Sequence, residues 1–138
     1  MKKADLLQEL LKESYQLLIL THVYHWQVRG PNFQSLHLLF QGQYTELFQA
    51  VDIIAERIKS LAIDVKEFEK LEIYKKMESK SKDMLKHLVD KNNKIIEISQ
   101  KLVGKAQKEK DEATADLAIE RISVHQKNIW MLKSSLED

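Results

Sequence analysis

The stretch THVYHWQVRGPNF, residues 21–33, decides how the rest of the chain is read. It begins as apolar helix, carries His22, His25 and Trp26, and runs into Gly30, Pro31 and Asn32. Gly accepts the left-handed position that ends a helix, Pro cannot extend the hydrogen-bond ladder, and Asn favours the first cap of a new helix. The stretch is therefore the tip of a helical hairpin. Upstream, Leu7, Leu11, Leu18 and Val28 recur at helical spacing and predict a first helix over about 4–29. Downstream, Phe33, Leu36, Phe40, Tyr44, Leu47, Val51, Ile54, Ile58 and Leu61 alternate by threes and fours, predicting a long second helix capped by Asn32.

Over 63–80 the period is lost, which predicts a connection with one short helix around 66–76. A third helix is expected over Ser81 to Ala106, turning Leu85, Leu88, Ile95, Ser99, Leu102 and Ala106 inward. Asp111 is placed to cap a fourth, with Ala118, Ile122, His125, Ile129, Leu132 and Leu136 on one face. Two tight connections and a longer middle one give an all-α fold, a ferritin-like four-helix bundle with a long crossover between the second and third helices. The length of 138 residues suits one domain over 1–138. Hydrophobic residues at 43%, charged residues at 31%, three Gly and one Pro fit a helical globular chain and not a disordered one.

A net charge of +1 makes no case for a polyanion or a membrane surface as partner, so any charged site must be local. The absence of cysteine excludes disulfides, thiolate metal sites and cysteine nucleophiles, and is compatible with the cytoplasmic location expected here. The opening MKKADLLQELLKES is broken by Asp5, Gln8, Glu9 and Lys12 and does not read as a signal peptide. No segment approaches the roughly 20 apolar residues a membrane span requires.

Chemistry is concentrated at the hairpin. His25 and His37 lie six residues to either side of Pro31, so antiparallel helices bring them to the same level, where they could share a ligand. Asp52 and Glu56 are four apart on the second helix and share a face. His37 and Asp52, however, are separated by fifteen residues, roughly 22 Å of helix at about 1.5 Å per residue, too far for one ion. A two-fold axis that lays a second copy's helix antiparallel to the first resolves this, bringing the acids of one subunit opposite the histidines of the other. On a helical wheel Asp52 and Glu56 flank the core stripe, beside Phe48 and Gln41, where a partner can reach them. Two imidazoles and two carboxylates suit Fe(II), Mn(II) or Zn(II) better than calcium or copper(I). None of the five histidines has Glu three residues before it, which argues against a di-iron centre inside one subunit.

HWQVRGPNFQSLH, AVDIIAERI, DEATADL and NIWML together resemble the Dps family, the DNA-binding proteins from starved cells or mini-ferritins, along three of the four helices. The positions of His25, His37, Asp52 and Glu56 match that family's intersubunit ferroxidase ligands. The resemblance implies a homo-oligomer, a hollow dodecamer, that binds iron as Fe(II) between two-fold mates. It implies oxidation of that iron with hydrogen peroxide or oxygen and storage of ferric mineral, protecting against oxidative stress. It sets Trp26 beside the site and Asp111, Glu112, Asp116 and Glu120 at three-fold iron-entry pores; His22, one turn before His25, flanks the site in a supporting place. Three departures stand out. Gln41 replaces an Asp that many members carry four residues after the second histidine, which removes a negative charge and weakens the site. Lys2 and Lys3 alone stand where some members have a lysine-rich arm, so direct DNA binding is not expected. The Lys/Glu-rich residues 62–80 lack the usual Gly-containing crossover.

Blander readings compete with each of these. His25 shares a face with Leu7, Leu11 and Leu18, the setting of a core histidine, and Glu56 has Lys59 within reach as a solvent ion pair. His87 and His125 read as structural or surface residues, Trp26 and Trp130 as packing residues, and the 111–120 acids as charges that favour a helix N-terminus. At the level of function the alternatives are a non-enzymatic cage of the same architecture, holding another metal or acting as a structural or DNA-associated particle, and a monomeric helical interaction module.

Overall fold

The computed structural model describes residues 1–68 and 70–137, with the backbone alone at 73 and 74. Four helices form: α1 (Lys3–Gln27), α2 (Phe33–Ser60), α3 (Ser81–Lys108) and α4 (Glu112–Ser134). Among the described residues there is no strand. α1 pairs with α2 and α3 with α4 as hairpins, α1 packs on α3, and α2 barely touches α4. The apolar stripes read from the sequence meet at the centre, where Leu7, Phe40, Leu47, Ile54, Leu88 and Leu102 are fully buried. Each such side chain stabilises the fold by about 2 kcal/mol through the apolar surface it withdraws from water.

The helix ends correct several expectations. α1 stops at Gln27, two residues early, because Val28 is already extended at ψ 141 and Gly30 turns the chain at φ 114. Asn32 holds the cap position of α2 but makes no side-chain cap; its carbonyl accepts the Leu36 N–H and the Ser35 hydroxyl instead. α2 and α3 both close with a left-handed residue that is not glycine, Ala62 at φ 62 and Lys110 at φ 59. The next residue's N–H then reaches back to the helix, Ile63 to the Ile58 carbonyl at 3.3 Å and Asp111 to the Ala106 carbonyl at 2.8 Å.

The helix expected over 66–76 shrinks to one 3₁₀ turn, Ile73–Lys76, and residues 63–68 have no regular structure. α1 supplies the reason. Gln8, Gln16 and Tyr24, eight residues apart, present side chains to the crossover backbone and compete with the bonds a helix would make. Gln8 donates to the Asp64 carbonyl at 2.8 Å and accepts the Lys66 N–H at 3.2 Å; Gln16 accepts the Glu72 N–H at 2.7 Å; Tyr24 Oη accepts the Glu78 N–H at 2.9 Å. The crossover is thereby fastened along the length of α1, and Phe68 packs on Tyr15 with ring centroids 5.6 Å apart.

Two polar clusters tie the helices together. Asp111 caps α4 as expected, accepting the Thr114 N–H at 3.2 Å and the Thr114 hydroxyl at 2.6 Å, and it also receives Lys3 Nζ and Arg57 Nη2, each at 2.9 Å. It thus joins the start of α1, the end of α2 and the start of α4. Deeper in the bundle, Arg121 of α4 grips Glu46 of α2 with two bonds of 2.5 and 2.9 Å and continues into His125 and Asn92.

Candidate metal centre

His25 projects from the last turn of α1 and His37 from the second turn of α2, and the turn at Gly30 brings them together. Their rings stack with centroids 3.7 Å apart and planes 13° from parallel. The pairing is reciprocal: His25 Nδ1 lies 2.7 Å from the His37 carbonyl, and His37 Nδ1 lies 2.7 Å from the His25 carbonyl. A carbonyl only accepts, so each Nδ1 must carry the proton. In the neutral ring Nε2 is the atom that keeps a lone pair, the form in which imidazole binds a metal, and each ring is oriented by its neighbour's backbone. Phe33 stacks on His37 at 5.0 Å, and the edge of Tyr44 meets His25 at 5.1 Å.

His22 lies between Trp26, at 4.0 Å, and Tyr44, at 4.4 Å, so it braces the site through its ring. Trp26 is 61% exposed and Trp130 64% exposed, so neither is packed within the subunit as its residue type suggested. Phe33 and Tyr44, which helical periodicity places in the core stripe, also border this site, and the spacing of Phe33 four before His37 is the sequence signal for it.

Asp52 and Glu56 are exposed one turn apart on α2. Glu56 is held above the usual carboxylate range, first by the hydrogen bond it shares with Asp52 and then by Asp52's negative charge. Lys59, the solvent partner considered for Glu56, bonds Asp64 instead at 2.6 Å. The two acids therefore crowd each other, a state that a bound cation relieves. Gln41, one turn after His37, is exposed. Among the described residues of one chain, no three His, Asp or Glu side chains converge on a common point. The structure thus brings the histidines together and the acids together, and keeps the two pairs apart within a subunit.

Of the acids assigned to an entry pore, Glu112, Asp116 and Glu120 are exposed along one face of α4. Asp111 turns the other way, into its clasp with Lys3 and Arg57, with 13% of its side chain exposed. Burial raises its affinity for a proton, but the hydrogen bonds from Thr114 and Lys3 outweigh that and hold the carboxyl well below its ordinary range. Between the two pairs of metal-type ligands runs an apolar surface. Tyr15, Phe48, Asp52, Ile53, Val65 and Phe68 border a groove of about 780 Å³, and Phe48 is 69% exposed.

Residues 4–138 match the ferritin-like domain family. The chain is 33% identical over 83% of its length to "DNA protection during starvation protein 2" of Bacillus anthracis, covering 83% of that protein. It is 29% identical over 99% of both chains to "DNA protection during starvation protein" of Helicobacter pylori. Among solved structures it resembles Dps from Thermosynechococcus elongatus at 27% identity and TM-score 0.89, covering 99% of this chain and 90% of that one. It also resembles a Dps protein from Vibrio cholerae, described as one of the ferritin-like diiron-carboxylate proteins, at 27% identity and TM-score 0.87, over 98% and 89% of the two chains.

Proposed function

The chain belongs to the ferritin-like family, among its Dps proteins, and on that premise we propose that it takes up Fe(II) at intersubunit sites, oxidises it and stores the ferric product. The observation that supports this reading is the reciprocal His25–His37 bonding, which occupies both Nδ1 atoms and leaves both Nε2 atoms as the ones available to a metal, while no acid of the described residues joins them in a cluster of three. A partner subunit packed across the apolar α1–α2 face supplies Asp52 and Glu56, and by symmetry receives the same pair in return. Exposed Phe48, Ile53 and Trp26 favour such burial, since apolar side chains left in water mark an interface. In this reading the assembly is a closed dodecamer.

The substrate iron is held by neutral imidazoles and two carboxylates. The carboxylates favour Fe(III) over Fe(II), because their negative charge stabilises the more highly charged ion. Each Fe(II) gives up one electron, and hydrogen peroxide takes two and two protons to become two waters; oxygen is the other oxidant. Glu112, Asp116 and Glu120 draw cations toward the interior, while Asp111 stays in its structural role. Gln41 contributes an amide oxygen without charge, so the site binds more weakly than one bearing an acid there.

Metal-free protein mixed anaerobically with Fe(II) and then given peroxide tests the proposal, with ferric absorbance followed beside an Asp52→Ala/Glu56→Ala variant. Fast oxidation that the variant loses supports the ferroxidase reading. Rates for both proteins equal to protein-free buffer overturn it and leave a non-oxidising cage as the better account.

A further inference from the structure

A connected set of buried polar groups lies inside the bundle, apart from the candidate metal centre. His125 is fully buried on α4. Its Nδ1 lies 2.7 Å from Asn92 Oδ1 on α3, and its Nε2 lies 2.9 Å from Arg121 Nη2. The orientation of each group follows from its neighbours. Asn92 Nδ2 donates to the Leu88 carbonyl at 2.7 Å, so its Oδ1 is the acceptor, and it also takes an N–H from Asn128 at 3.3 Å. Arg121 can only donate. His125 must therefore carry its proton on Nδ1 and accept at Nε2, and the ring is neutral with both nitrogens satisfied. The same guanidinium grips Glu46 with two bonds and ties the middle of α2 to α4, as Arg57 Nε does near the end of α2 by donating to Thr114 Oγ1 at 3.0 Å; elsewhere the two helices scarcely meet.

We infer that His125, Arg121, Glu46 and Asn92 form an acid-released clasp that locks α4 to α2 only while the imidazole is neutral. A second proton on His125 has one place to go, Nε2. There it sets an N–H against the N–H of Arg121 and a positive charge against a positive charge. One of the two must leave, and Arg121 cannot shed a proton, so the guanidinium moves and its hold on Glu46 goes with it. Among the described residues Arg121 Nε has no hydrogen-bond partner, so the guanidinium is held in place by Glu46 and His125 alone among them.

The surroundings supply no relief. From α2 comes Glu46, already spent on Arg121; from α3 comes Asn92, neutral; among the titratable groups of α1, Tyr24 and His25 are engaged with His87 and His37, and Glu13, its side chain 11% exposed, is paired with Lys94 of α3 at 3.1 Å. Burial, reinforced by the Arg121 charge, accordingly keeps the ring well below the ordinary histidine value. Opening releases that restraint, so protonation drives opening. With an ordinary value near 6.5 in the open form, the open population rises about thirtyfold between about pH 7.5 and about pH 5.0.

Hydrogen–deuterium exchange of the full-length protein, corrected for intrinsic rates and read at those two pH values, tests this against His125→Gln, whose amide oxygen can accept from Arg121 at any pH. The expected result is a fall of about thirtyfold in the protection of α4 and of the middle of α2, relative to α1, in the wild type, and a fall under about threefold in the variant. An equal response in both proteins, or none in the wild type, overturns the clasp. Should His125→Gln not fold, exchange at the imidazole C2 position of wild-type His125 decides the matter. Titration only together with loss of α4 protection supports the clasp, and titration near the ordinary value with α4 intact overturns it.

Discussion

Asp111 is where a structural and a functional assignment compete, and substitution separates them. Its carboxylate is 13% exposed and meets Lys3 and Arg57, each at 2.9 Å, whose side chains are 18% and 25% exposed. Replacing it with Ala removes the α4 cap, worth about 1 kcal/mol, and two partly shielded charge-assisted bonds, each about 1 kcal/mol after allowance for solvent. Asn retains the cap and loses only the charge. The expected losses are about 3 kcal/mol for Asp111→Ala and about 2 kcal/mol for Asp111→Asn. For a chain of this length the larger one lowers the melting temperature by about 10 °C. Because its carboxyl is held below the ordinary range in the folded state, the charge contributes fully above the unfolded value near 4, and the contribution is lost as pH falls below that. Asp111→Asn should therefore converge with wild type in strong acid, while Asp111→Ala should stay below it by the lost cap, about 1 kcal/mol. Thermal and urea unfolding at fixed protein concentration, between about pH 3 and about pH 7, measure these differences. Variants as stable as wild type at neutral pH, yet slower to take up Fe(II), would refute the clasp and return Asp111 to the pore.

Other expectations follow from single contacts. Gln41→Asp should tighten Fe(II) binding by about tenfold, by adding a charged ligand beside His37, as calorimetry on the metal-free protein can determine. Ala62→Gly should raise stability by about 0.5–1 kcal/mol in urea unfolding, since glycine relieves the left-handed strain at φ 62; Gly30→Ala at φ 114 should lower it by at least as much. Tyr24→Phe leaves the Glu78 N–H and His87 without their shared hydroxyl, and should cost about 1–2 kcal/mol and speed proteolysis within the crossover. His125 and His87 are both held below the ordinary histidine value by burial, so the unfolded chain binds more protons than the folded one below about pH 6.5. Stability should then fall with decreasing pH by up to about 1.4 kcal/mol per unit for each, an effect that denaturant titrations of His125→Gln isolate.

The sequence by itself determined the four helices, the hairpin at Gly30-Pro31, the Asp111 cap and the level pairing of His25 with His37. Each of these depends on periodicity, on residues a few positions apart, or on a turn that fixes which positions of a hairpin lie level, and local backbone preferences act at that range. Tertiary structure decided what local pattern does not encode. The ring orientation of His25 and His37 depends on each other's carbonyl across the packed hairpin, and the crossover gave up its expected helix to bonds from α1 side chains more than fifty residues distant. By spacing His125 is one more member of an apolar stripe, but in the fold Asn92, thirty-three residues earlier, and Arg121 on its own helix meet its two nitrogens. A buried polar group must find a partner wherever the fold provides one, and only the packed helices fix which partner that is.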